Sequence, residues 1–209
     1  MALTTFNELK TSIGNYLNRS DLTSVIPDFI TLTEAKLNRI LRIRPMQKRV
    51  STTLTSGDAF VDLPNDFLEA TQIFIDSNPN KVLNYVNANQ IELENTQETS
   101  GTPSQYTITG DEFQLSPIPD SSYTLKISYY AKIPALSTEN TSNYLLASYP
   151  QVYLYGALLE AQPYIVNDER ITVWMSLFNE AVQLINRDDE QGRYSGRTAF
   201  AMKNDTANP

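Results

Sequence analysis

The chain has no cysteine and no histidine among its 209 residues. Together these absences remove thiol nucleophiles, imidazole triads, haem ligation and nearly every zinc or copper site built on nitrogen or sulfur. Carboxylates are left as the only route to catalysis. Long apolar runs are missing as well. No stretch approaches the roughly 18 residues that cross a bilayer. The opening "MALTTFNELK" also lacks the basic and hydrophobic regions of a secretory signal, so synthesis in the cytoplasm is the expectation. The seven glycines are scattered and form no phosphate-binding loop. Basic residues are outnumbered 16 to 24, giving net charge −8, which argues against a dedicated nucleic-acid binder because phosphate affinity comes largely from basic surface.

What is present is globular material. Forty-one per cent hydrophobic residues, with twelve Tyr and eight Phe, can bury a core without disulfide or metal staples. Charge is spread unevenly. Residues 1–55 carry eight basic and four acidic side chains, residues 56–140 three and twelve, and residues 141–209 five and eight. Such asymmetry points to faces that meet different partners.

"TTFNELKTSIGNYLN" sets Phe6, Leu9, Ile13, Tyr16 and Leu17 at helical spacing behind a Thr5–Glu8 capping box, predicting a helix over about residues 5–18. "RSDLTSVIPDFITLTEAKLNRILRIRP" predicts a second helix, entered at Pro27 and stopped by Pro45. On it Ile26, Phe29, Ile30, Thr33, Leu37, Ile40 and Leu41 share one arc, with Lys36, Arg39 and Arg42 opposite. From Met46 to about Ala135 the pattern changes to "MQKRVSTTL", "AFVDLP", "ATQIFID", "KVLNYV", "SQYTIT", "EFQLSP" and "YTLKISYYAKI", separated by turn residues. These predict an antiparallel sheet or sandwich, with a short helix at "ANQIELENT". Helical spacing returns at "YPQVYLYGALLEAQPYI". A long helix from about residue 168 then carries Ile171, Trp174, Leu177, Phe178, Ala181, Leu184 and Ile185 on one stripe to an end near Gly192. The class is α+β: a bundle of about four helices from residues 1–45 and 141–191, a β-rich insertion over 46–140, and an extended C-terminal tail over 192–209.

Six of the sixteen basic residues fall between Lys36 and Arg49. Cations near a helix C-terminus complement its dipole. Lys36, Arg39 and Arg42 nevertheless make a three-residue-spaced ridge of like charge, repelling by about a few tenths of a kcal/mol per pair. A partner's carboxylates would relieve that repulsion, so the ridge is expected at a contact with another protein chain. The acidic groups Glu92/Glu94, Asp111/Glu112 and Asp188/Asp189/Glu190 are the only candidates for a hydrolytic pair or an oxygen-ligand metal site. Their turn-like contexts read as solvated surface, so no metal and no cofactor is expected. The aromatic run Tyr149, Tyr153, Tyr155 and Tyr164, with Trp174 and Phe178, reads as core before ligand pocket. In the tail, Arg193, Tyr194, Arg197, Phe200 and Met202 intersperse anchors and charges as a docking segment would.

At "LNRSDLTSVIPDFITLTEAKLNRILR", "YYAKIPALS", "NYLLASYPQVYLYGALLEAQPYIVNDERITVW" and the terminal "RYSG", the chain resembles the head-to-tail adaptor (connector) proteins of tailed bacteriophages, in the same order over about residues 5–196. The resemblance implies a non-enzymatic virion protein whose copies, usually twelve, form a ring beneath the portal. The ring extends the DNA channel, which passes DNA without sequence-specific binding, and presents a platform for the next tail or nozzle protein. It also implies that the helices build the ring wall and that the tail reaches the portal. A stopper, nozzle or other tail-ring component is the alternative reading, and a carboxylate-dependent virion hydrolase a third.

Overall fold

The computed structural model describes residues 3–19, 21–95, 99–165 and 169–194, and the chain divides into two compact units. Residues 1–44 with 134–209 make a helical unit, and residues 45–133 a β-rich unit. The class is mixed α+β. In chain order, α1 (Phe6–Leu17) and α2 (Ile26–Ile40) lead to β1 (Gln47–Thr53), β2 (Phe60–Asp62), β3 (Phe67–Ile75), β4 (Lys81–Val82) and β5 (Asn84–Tyr85). Next come α3 (Ala88–Asn95), β6 (Ser100–Gly101), β7 (Gln105–Thr109), β8 (Glu112–Ser116), β9 (Ile118–Pro119) and β10 (Thr124–Ala131). The last three helices are α4 (Tyr144–Ser148), α5 (Pro150–Glu160) and α6 (Arg170–Tyr194).

In the helical unit α1 starts on the capping box its sequence implies. Thr5 Oγ1 accepts the Glu8 N–H, and the Glu8 carboxylate accepts the Thr5 N–H at 3.0 Å. Phe6, Leu9, Ile13 and Leu17 are buried, whereas Tyr16, expected on the same stripe, is half exposed. The central element is α5, which packs against α1, α2, α4 and α6 and therefore buries residues all round: Val152, Tyr153, Leu154, Gly156, Ala157 and Leu158. On α6 the buried stripe is Trp174, Phe178, Ala181, Ile185 and Asp189. It is narrower than the sequence suggests, since Leu184 is exposed.

Close helix approach depends on Gly156. A Cβ there would overlap Thr33 Cγ2 of α2 and come within 3.2 Å of Phe178 Cε2 of α6. Thr33 cannot easily turn aside, because its hydroxyl donates to Phe29 O at 2.8 Å. Gly156→Ala is therefore expected to lower stability by about 1–2 kcal/mol, overpacking outweighing the roughly 1 kcal/mol of helix propensity gained. Urea unfolding of the two proteins checks it.

The β unit holds two four-stranded sheets and a two-stranded one, β6-β9. The first, in the order β1-β10-β3-β4, is antiparallel throughout; Val50 stands opposite Ile127, which stands opposite Ile73. The second has the order β2-β8-β7-β5. Alternate residues of β10 (Leu125, Ile127, Tyr129, Ala131) share one buried cluster with Ile73, Ile75, Leu83, Phe113 and Leu115, so the two sheets close on a common core. Two pairings depart from the antiparallel expectation: β5 runs parallel to β7, and β6 parallel to β9. The cause in the first case is Leu83. It drops into the core and splits the run "KVLNYV", so that Lys81–Val82 pair with β3 in one sheet and Asn84–Tyr85 with β7 in the other. The outer face of the second sheet is covered by α3, whose Ile91 is buried and whose Glu92 accepts the Gln114 Nε2–H at 2.9 Å.

Candidate interaction surfaces

The basic run separates into different environments. Leu41 and Ile43 are buried and alternate with Arg42 and Arg44, a period of two that belongs to extended chain. The helix accordingly stops at Ile40, with Leu41 at φ −98° and ψ 137°. Arg42 thus lies beyond α2 and does not continue a ridge from Lys36 and Arg39. Its Nη1 donates to Asn38 O at 2.8 Å and Leu41 O at 2.6 Å, covering carbonyls at the helix end. Ile40, expected in the core arc, is 46% exposed for the same reason: the chain turns out of helix there. Lys36 turns to its own chain, its Nζ 3.6 Å from Glu160 Oε1 and 5.0 Å above the Phe178 ring. Arg39 is exposed and has no ion-pair partner among the described residues.

At the other terminus, α6 runs through Gly192 to Tyr194, so Arg193 and Tyr194 belong to the helix and not to an extended tail. Arg197, Phe200 and Met202 lie outside the described residues. What extends the helix is a clasp around Asp189, which is 8% exposed. Asp189 Oδ1 accepts the Arg44 backbone N–H at 2.8 Å and Arg44 Nε–H at 3.1 Å, and Oδ2 accepts Arg193 Nε–H at 2.7 Å. Arg193 Nη2 donates onward to Arg42 O at 3.2 Å. Gly192 lets the Arg44 guanidinium lie against the helix, since any Cβ there would overlap it. Burial pushes the Asp189 carboxyl up, but the Arg44 N–H and the two guanidiniums outweigh burial and hold it below the ordinary carboxylate range. The solvated-surface reading of Asp188–Glu190 therefore fails at Asp189, the member of that trio on the buried stripe.

A second buried carboxyl lies on α2. Glu34 is 5% exposed; its Oε1 accepts the Leu136 N–H at 2.8 Å and the Tyr153 hydroxyl at 3.4 Å. Asn143 Nδ2 donates both to Tyr153 Oη and to Pro134 O at 2.8 Å, while Asn143 Oδ1 caps α4 by accepting the Leu146 N–H. Burial dominates here and raises the Glu34 carboxyl to about 7 against the pull of the two hydrogen bonds. A signal was available in the sequence: Glu34 stands four residues after Ile30 and three before Leu37, inside the apolar arc.

The members of the aromatic run keep separate company. Tyr153 is buried in the network just described, the Tyr149 hydroxyl donates to Asp188 Oδ2 at 3.0 Å, and Tyr164 lies half exposed edge-on to Phe29 at 5.3 Å. Arg170 stacks over Trp174 at 5.0 Å. Among the described residues no group of three or more acidic side chains is placed to hold a metal ion.

The described residues thus show packing, capping and ion pairing, in an acidic chain without cysteine or histidine. No curated protein matches it. The family described as SU10 adaptor protein matches residues 4–200, nearly the whole length. On that match the chain belongs to the SU10 adaptor protein family, structural adaptor proteins of the phage virion.

Proposed function

We propose that this chain is a head-to-tail adaptor, about twelve copies of which form a ring between the portal and the next tail or nozzle protein. The observation that carries the reading is the family match over residues 4–200, which spans both units instead of one shared module. Electrostatics support it. Twelve copies at −8 each carry roughly −96, and a channel within such a ring repels DNA phosphates, so DNA slides through without sequence-specific binding. Within the ring, Arg39, with Arg42 and Lys36 beside it, contacts carboxylates of a neighbouring subunit or the portal. Residues 195–209, with Arg197, Phe200 and Met202, dock on the portal.

A chain ending at Tyr194 tests the docking, because it keeps the Asp189–Arg193 pair that a cut at Gly192 would remove. The truncated protein is expected to fold with unchanged thermal stability and to lose co-sedimentation with portal-bearing capsids. If it sediments with them as the full chain does, the docking role is wrong.

A further inference from the structure

Among the described residues only two charged side chains are buried, Glu34 and Asp189. Each accepts a backbone N–H beside one of the two points where the chain passes between units. The outgoing passage runs through Leu41–Arg44 and is held at the Arg44 N–H by Asp189. The returning passage starts at Pro134 and is held at the Leu136 N–H by Glu34. The Asn143 amide, bonded to Pro134 O and Tyr153 Oη, completes that second attachment.

The two carboxyls keep different company. Asp189 faces the guanidiniums of Arg44 and Arg193. Among the described residues Glu34 faces no cation. From α5 it meets the Tyr153 hydroxyl, from the returning segment the Leu136 N–H, and behind Tyr153 stand the Asn143 amide and the Tyr144 hydroxyl. The lysine nearest it in sequence on α2, Lys36, is engaged with Glu160. An ion-paired carboxylate stays put when buried, whereas an ionised carboxylate with two hydrogen bonds and no counter-charge is driven toward water.

We infer that the outgoing passage is fixed by Asp189 while the returning passage is fastened by a proton-dependent latch at Glu34, which loosens residues 134–136 as the carboxyl ionises. The latch lies wholly in the helical unit and stands independently of the ring reading. Its sign follows from burial. The closed site holds its proton up to about pH 7, and an exposed glutamate releases it near 4.5. Opening therefore becomes easier as pH rises from the lower value to the upper and is level beyond it.

Amide hydrogen exchange of the full chain, followed by NMR at pH 6 and pH 8, tests the latch. The ratio of the Leu136 to the Arg44 exchange rate cancels intrinsic base catalysis. It is expected to rise about tenfold between the two pH values in the parent protein and to stay constant in Glu34→Gln, where the side chain carries no titrating proton. A ratio that is constant in the parent overturns the latch, and so does an equal rise in the variant. Should Glu34→Gln not fold, the parent's ratio alone decides.

Discussion

Phe113→Ala is expected to cost the β unit about 3–5 kcal/mol and to lower its melting temperature by more than about 10 °C. The ring is fully buried on β8 and meets Tyr106 of its own sheet at 5.9 Å and, edge-on, Phe67 of the other sheet at 5.6 Å, where Phe67 stacks on its sheet neighbour Tyr129 at 5.6 Å. Truncation loses transfer free energy, leaves a cavity, and breaks two aromatic contacts worth about 0.5–1.5 kcal/mol each. Phe113→Leu, which keeps most of the volume, is expected to cost no more than about 1.5 kcal/mol. Calorimetry of both variants provides the check, with exchange of the β8 and β10 amides locating the damage. A loss below about 1 kcal/mol for the alanine variant would mean that the two sheets do not share one core through this residue.

How much of this was legible in the sequence depends on which period governs each segment. The β unit was readable because its strands alternate: Leu125, Ile127, Tyr129 and Ala131 are buried in sequence as they are in space. "KVLNYV" was harder, since one strand-like run is shared between two sheets at Leu83, and alternation says nothing about which neighbour a strand takes. At the end of α2 two periods overlap. "LRI" fits either a last helical turn or extended chain, and the structure takes the second, with a 3-10 turn following at Arg44–Met46. Lys36, Arg39 and Arg42 looked like one ridge only on the helical count. The clasp at Asp189 and the latch at Glu34 depend on residues 145 and 102 positions away, Arg44 and Leu136. Periodicity can show that an acid sits on a buried face; it cannot name the partner. The family match was visible as a whole-chain order of segments, which is why it survives these local errors.

The same two acids give stability a pH dependence of opposite signs. Asp189 titrates lower in the folded chain than its ordinary 3.8, so the stability it contributes is present above that value and lost as pH falls through its folded range. It is therefore silent between pH 5 and pH 8, and Asp189→Asn is expected to destabilise by a constant amount across that interval. Glu34 runs the other way. Raised from 4.5 to about 7, it favours the folded state fully below the lower value and loses that advantage as pH climbs to the upper, about 3 kcal/mol in all. Glu34→Gln keeps a carbonyl to accept the Leu136 N–H and cannot ionise. Urea unfolding is accordingly expected to show the variant gaining on the parent by about 2 kcal/mol between pH 5 and pH 8. Comparing differences removes any fixed cost of the amide. A flat difference would mean that Glu34 is already ionised when folded, which a carboxylate 5% exposed with no cation beside it can sustain only if water reaches it.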